Sequence, residues 1–184
     1  MKIMRFFLHH EDAVVSLREL VEKTKSKATT VRKELNILIG IGFLVKRKIR
    51  TLLGKGRKSR MKEVAGFALN LEFPHNQALK DLLFDFELLD KRELASRFRQ
   101  IGRVKLFVVS GVFIGEEKSR ADILLVGEAL KRPKAEKLFE LLSAELGREV
   151  VYALMDVEEY EYRFKMYDKF VRDILDNPHE AVID

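Results

Sequence analysis

The sequence predicts a two-part α+β chain: a helical front half closed by a basic β-hairpin, and a small mixed-sheet α/β layer behind it. Three observations carry this. Between Val45 and Lys62 stand nine basic side chains and no acidic one, split by Gly54 and Gly56 and flanked by β-prone apolar stretches. Ahead of them, apolar residues recur at helical spacing. From Val104 onward, nearly continuous apolar runs alternate with helical segments, as buried strands require.

In the front half, Lys2 to His9 reads as a first helix with Ile3, Phe6 and Phe7 facing inward. Ser16-Leu17-Arg18-Glu19 has capping-box spacing, so a second helix starts there with Leu17, Leu20 and Val21 on its apolar face. The pattern breaks at Thr24-Lys25-Ser26. A third helix runs from about Lys27 to Ile41, its apolar positions Ala28, Val31, Leu35 and Leu38 forming one stripe. Thr29, Thr30, Lys33 and Asn36 fall opposite, and Gly40 and Gly42 end the helix. The basic run follows as a hairpin whose return strand includes Gly66-Phe67-Ala68-Leu69. Helix, helix, short turn, helix and basic hairpin describe a winged helix-turn-helix. Small, polar and basic side chains early in the third helix suit a major groove, and a Gly-punctuated basic hairpin suits phosphates. The expected DNA-binding residues are Lys27, Thr29, Thr30, Arg32, Lys33, Asn36, Arg47, Lys55, Arg57, Lys58 and Arg60. A basic hairpin alone does not separate DNA from RNA.

The charge divides in the same way. The 184 residues carry +6, yet residues 1–76 hold 17 Lys+Arg against 7 Asp+Glu, a net of +10. Residues 77–184 hold the other 18 against 22, a net of −4. One half is thus suited to a polyanion and the other is not. With 47% apolar residues the chain has material for real cores in one or two domains. No apolar stretch reaches membrane-spanning length. Arg5, His9, His10, Glu11 and Asp12 interrupt any signal-peptide-like region. The absence of Cys excludes disulfides, zinc ribbons and thiol catalysis. The expectation is a cytoplasmic protein without a membrane partner.

Asn70 to Asn76, with one of three prolines, is the linker candidate. Helices are expected from about Gln77 to Phe86, with Leu79, Leu82, Leu83 and Phe86 on one face, and from about Lys91 to Ile101. Strands follow at Val104–Val109, Ala121–Gly127 and Val150–Leu154, with a last short one at Ala181–Ile183. A Gly-containing loop spans Ser110 to Ser119. Pro133 opens a helix ending at Leu146 and Gly147, and Asp156 with Glu159 opens another that continues with breaks toward Asp176. The domains read as a winged helix at 1–72, a helical linker at 73–102, and an α/β domain at 103–184.

Ser110-Gly111-Val112-Phe113-Ile114-Gly115, followed by Ser119-Arg120-Ala121-Asp122-Ile123-Leu124-Leu125-Val126-Gly127, resembles the minimal nucleotidyltransferase fold. That family has a Gly-Ser motif, a second Gly four residues after the first, and an Asp-x-Asp pair further on. The resemblance implies a backbone that holds a nucleotide triphosphate and carboxylates that hold two divalent ions. Position by position, Gly111 and Gly115 keep the spacing. Val112 stands where Ser is expected, Asp122 keeps the first carboxylate, and Leu124 stands where the second is expected. Val150–Leu154, the place of the third, holds only apolar and aromatic residues, with Glu149 just before it. One carboxylate cannot cage two Mg²⁺ ions. The expectation is therefore a catalytically inactive domain with no catalytic residue, metal or cofactor. Gly111, Gly115, Lys118, Arg120 and Asp122 are the candidate ligand-binding residues, for a small anion.

The whole chain is similar to small bacterial winged-helix regulators with a fused nucleotidyltransferase-like domain. The likeness includes the Leu69–Pro74 linker, the two motifs above and Glu158-Glu159-Tyr160-Glu161-Tyr162-Arg163. It implies a DNA-binding transcriptional regulator acting as a homodimer, whose second domain serves dimerisation, ligand sensing or partner docking. An active nucleotidyltransferase guided by the winged helix, and an RNA-binding protein, are the alternatives. Two lesser signals remain. His9-His10-Glu11-Asp12 reads as solvated cap residues rather than a metal site. Tyr160, Tyr162, Phe164, Tyr167 and Phe170 read as core packing rather than a base-stacking platform.

Overall fold

The capping box at Ser16 is formed in full. The Glu19 N–H donates to Ser16 Oγ at 3.3 Å, and the Ser16 N–H donates to Glu19 Oε2 at 2.7 Å. The Ser16 N–H and the Ser16 hydroxyl, which donates to the same Oε2 at 2.8 Å, hold the Glu19 carboxyl below its ordinary value. A computed structural model describes the chain except residues 54–59, 85–89, 117–118 and 184, and except the side chains of residues 51–53, 60 and 62. Among the described residues it is an α+β structure with eight α-helices and two sheets. It divides into two compact units, Met1–Leu83 with Ala144–Arg148, and Phe84–Ser143 with Glu149–Asp184. One cut, between Leu83 and Phe84, lies within residues 73–102, while Ala144–Arg148 groups with the first unit and not with the rest of 103–184.

The first unit runs α1 (Lys2–His9), β1 (Val15–Ser16), α2 (Leu17–Thr24), α3 (Ala28–Gly40), β2 (Leu44–Leu53), β3 (Arg60–Leu69) and α4 (Asn76–Phe84). Its sheet has the order β1-β3-β2, all antiparallel. β2 and β3 pair without a break from Leu44 opposite Leu69 to Leu53 opposite Arg60. β1 is an addition to the sequence reading. Its two residues pair with Phe67 and Gly66, and a Cβ on Gly66 would come within 2.9 Å of Ile49 Cγ2 and 3.1 Å of Val14 Cγ1. Phe7, Leu20, Val31, Leu35, Phe43 and Leu44 are buried at the centre of this unit.

Two turns frame α3. α2 stops at Lys25, whose φ of 50° is left-handed, and the Ser26 N–H reaches back to the Val21 carbonyl at 3.4 Å. α3 stops in a Schellman motif: the Phe43 N–H donates to the Leu38 carbonyl and the Gly42 N–H to the Ile39 carbonyl, both at 3.0 Å. Gly42, at φ 81°, makes that turn, whereas Gly40 is still helical. Assigning the stop to both glycines is corrected accordingly. The Asn70–Asn76 stretch is pinned rather than slack. Asn70 Nδ2 donates to the Gly42 carbonyl at 2.7 Å, its N–H donates to the Phe43 carbonyl at 2.9 Å, and the Phe73 ring meets Phe43 edge-on at 5.6 Å. On α4, Leu83 is buried but Leu82 is 67% exposed, so Leu82 does not share the apolar face read for it.

The second unit holds α5 (Lys91–Phe98), β4 (Arg103–Val109), β5 (Ile123–Glu128), α6 (Arg132–Leu146), β6 (Tyr152–Asp156), α7 (Val157–Lys165), α8 (Lys169–Leu175) and β7 (Glu180–Ile183). The sheet order is β6-β5-β4-β7, with β5 and β6 parallel and the other pairs antiparallel. α6 supplies the crossover that a parallel pair needs. Val108, Leu124, Val126, Ala153 and Met155 pack with Val171 and Ile174 of α8. Phe98 of α5 packs against Phe107 and Phe139, at 5.4 and 4.7 Å between ring centroids. Burial on both faces is why β5 and the end of β4, Phe107–Val109, read as unbroken apolar runs.

β6 begins two residues later than the apolar run. The backbone of Val150 and Val151 is taken by side chains instead: the Val150 N–H donates to Ser143 Oγ at 3.0 Å and the Val151 N–H to Asp122 Oδ2 at 2.9 Å. Asp156 ends β6 and caps α7, its Oδ1 accepting the Glu159 N–H at 2.8 Å. The aromatic cluster splits. Tyr160 and Phe170 pack on the core, but Tyr162 is 66% and Tyr167 75% exposed. The core reading therefore fails for Tyr162, Phe164 and Tyr167. Tyr162 and Phe164 lie on the exposed side of α7, Tyr167 sits in the turn after it at φ 54°, and the Arg172 guanidinium lies over the Phe164 and Tyr167 rings at 4.8 and 4.6 Å.

Candidate nucleic-acid interface

α3 separates its two faces cleanly. Val31, Leu35 and Leu38 are buried, while Thr29, Thr30, Arg32, Lys33 and Asn36 are all exposed. At 100° per residue, Thr29, Lys33, Asn36 and Gly40 share one line opposite the buried stripe, with Arg32 to one side and Thr30 and Ile37 to the other. The only acid of α3, Glu34, is engaged by the N-terminal ammonium of Met1 at 3.7 Å. Lys27 precedes the helix as its N-cap, is exposed, and makes no side-chain cap bond. A helix start of this kind favours anions.

Beyond the Gly42 turn, β2 carries Lys46, Arg47, Lys48 and Arg50, all exposed. Lys48 pairs with Glu63 of β3 at 2.9 Å. Arg47 stands opposite Gly66 in the ladder. Arg60 opens β3, its side chain outside the described residues, and Lys55, Arg57 and Lys58 lie outside them altogether. Thus the structure brings the α3 residues onto one face and carries Arg47 on a separate element. Sequence reasoning left Ile37 and Gly40 out of the outer face. The signal was present in the 3.6-residue period: Ile37 follows Lys33 by four residues, and Gly40 follows Asn36 by four.

The second candidate site is built around Asp122, which is 5% exposed. Its Oδ1 accepts the Val112 N–H at 3.0 Å and its Oδ2 the Val151 N–H at 2.9 Å. Gly111 has φ 56°, and a Cβ there would stand 2.2 Å from Asp122 Oδ1. Gly111 to Ile114 form a 3₁₀ turn rather than an open loop, and Gly115 follows it at φ 75° with open space around it. Ser110 Oγ donates to the Ala121 carbonyl, and Ser119 Oγ does so at 2.8 Å. Arg120 is ion-paired with Asp173. Lys118 lies outside the described residues. Of the five candidates, Gly111 and Asp122 are brought into contact, and the carboxylate they surround is committed to backbone N–H groups. Leu124 is fully buried in the sheet. No group of three or more His, Cys, Asp or Glu side chains suited to a metal occurs among the described residues, and none of their helices is long and apolar enough to cross a membrane. No family model matches the chain, and neither a curated protein nor a solved structure matches it.

Proposed function

We propose that this chain is a DNA-binding transcriptional regulator, with a winged helix-turn-helix in front and a nucleotidyltransferase-like domain without transfer activity behind. One observation carries the reading. The five polar and basic side chains Thr29, Thr30, Arg32, Lys33 and Asn36 are presented together on α3, opposite its buried stripe. The chain order α1-β1-α2-α3-β2-β3, with the sheet order β1-β3-β2, suits a winged helix. The net of +10 over residues 1–76 and the exposed Lys46, Arg47 and Arg50 favour a phosphate backbone. In the second unit, an antiparallel β4–β5 pair and a parallel β5–β6 pair suit the fold that the motif resemblance implies. Transfer is disfavoured because both Asp122 oxygens accept backbone N–H groups and Leu124 offers no ligand.

The working species is proposed to be a homodimer, since regulators of this shape read half-sites about one helical turn apart with two-fold symmetry. A monomer mass by light scattering, with and without DNA, would count against that. The test of the function is a gel-shift titration of the full chain on duplex DNA across a salt series, with duplex RNA as competitor. Replacing Lys55, Arg57, Lys58 and Arg60 together by Ala lowers the log–log salt slope by about 3 to 4. An unchanged slope removes the hairpin from the contact. Preferential capture by RNA replaces the reading with the RNA-binding one.

A further inference from the structure

Ile37 is the apolar exception on the outer face of α3. It is 63% exposed, one residue after Asn36 and four after Lys33. Exposed aliphatics such as Ile37, and Ile41 at the C-cap, 56% exposed, need no explanation by themselves, but Gly40, a turn after Ile37, adds a second observation. Gly40 is helical, its φ is not left-handed, and a Cβ there would meet nothing within 4 Å. Neither backbone conformation nor internal packing calls for glycine, although glycine weakens a helix relative to alanine. The turn that ends α3 is made by Gly42 instead. A face that is bare at one point and apolar beside it is shaped for a surface outside the chain.

On the reading of α3 as a groove helix, we propose that Ile37 is a specificity-determining residue that packs on the C5 methyl of a thymine, with Gly40 kept bare so that the helix seats against the groove wall. The chemistry is selective. Among the base edges of the major groove, the thymine methyl is the apolar partner an Ile side chain can desolvate. Asn36, next in the chain, has the amide that pairs with the N6 and N7 of adenine. Together they select duplex DNA with A·T pairs at adjoining steps. Lys33, on the same line, suits the O6 and N7 of a guanine nearby.

The experiment selects the preferred duplex for the full chain from a random pool. Each thymine of that site is then replaced singly by deoxyuridine, which removes only the methyl. Affinity falls about fourfold at one or two positions, the factor one buried methyl is worth. The same replacement costs nothing further in Ile37→Ala. Gly40→Ala lowers affinity at least tenfold while its melting temperature is unchanged or higher. Indifference to uracil at every position, equal sensitivity in the parent and Ile37→Ala, or full affinity in Gly40→Ala overturns the inference and leaves the DNA reading standing. A parent chain that selects no duplex sequence overturns the DNA reading, and this inference with it.

Discussion

Asp122 and Val151 hold each other through two hydrogen bonds: the Val151 N–H donates to Asp122 Oδ2 at 2.9 Å, and the Asp122 N–H donates to the Val151 carbonyl at 2.7 Å. The other carboxylate oxygen takes the Val112 N–H at 3.0 Å. One buried side chain therefore ties the turn after β4 to the approach of β6. Asp122→Ala leaves two N–H groups without their acceptor and costs about 2–4 kcal/mol of stability. Gly111→Ala, which meets the same carboxylate from a left-handed backbone, costs more than about 2 kcal/mol. Denaturant unfolding of both variants checks this. The parent chain, given labelled nucleotides with Mg²⁺ or Mn²⁺, transfers no label; transfer that Asp122→Ala abolishes would establish the enzyme instead.

Asn70 is a clamp on the turn that ends α3. Its amide donates to the Gly42 carbonyl at 2.7 Å, while its Oδ1 accepts the Glu72 N–H at 3.2 Å. Asn70→Ala loses about 1 kcal/mol. Asn70→Asp loses more, because a carboxylate has no proton to give Gly42 and turns an acceptor toward an acceptor. Thermal melts of the parent and the two variants rank them; an Asn70→Ala variant as stable as the parent would show that the clamp contributes nothing.

Ser16→Ala removes the side-chain half of the cap on α2 and lowers stability by about 1 kcal/mol at neutral pH. The effect depends on acid. The folded Glu19 carboxyl lies below its ordinary value because it accepts the Ser16 N–H and hydroxyl. Its contribution is complete above the unfolded carboxyl value and is lost as pH falls through the folded one. The gap between parent and variant accordingly narrows in unfolding curves taken at progressively lower pH through the carboxyl range.

His9, read from the sequence as a solvated cap residue, is instead half-buried, and it is held at about 4, against an ordinary 6.5, by burial first and then by neighbouring cations. His10 is lowered in the same direction, again with burial first. The unfolded imidazole takes a proton that the folded one refuses, so stability is full above 6.5 and declines as pH falls from there toward 4. Unfolding free energies between pH 7.5 and 4.5 trace that decline, and His9→Gln flattens it. A parent chain equally stable across the window would refute the assignment.

Local chemistry by itself determined the front half as far as α3. Lys2–His9, the Ser16 cap and the Val31-Leu35-Leu38 stripe depend on spacing and neighbours within one or two turns, and such signals are written in the sequence. β5 and the end of β4 were legible for the same reason, as runs buried on both faces. Only the tertiary structure decided the rest. A two-residue strand such as Val15–Ser16 exists because Phe67 and Gly66 pair with it. β6 starts late because Ser143 and Asp122 take the N–H groups of Val150 and Val151. Tyr162 faces outward because α7 packs by its other side, with Tyr160, and Tyr167 because it sits in the turn after α7 at φ 54°, although their spacing reads as core. Asp122 read as the remnant of a metal site. Its two acceptors are instead spent on backbone 10 and 29 residues away, partners that no local pattern names.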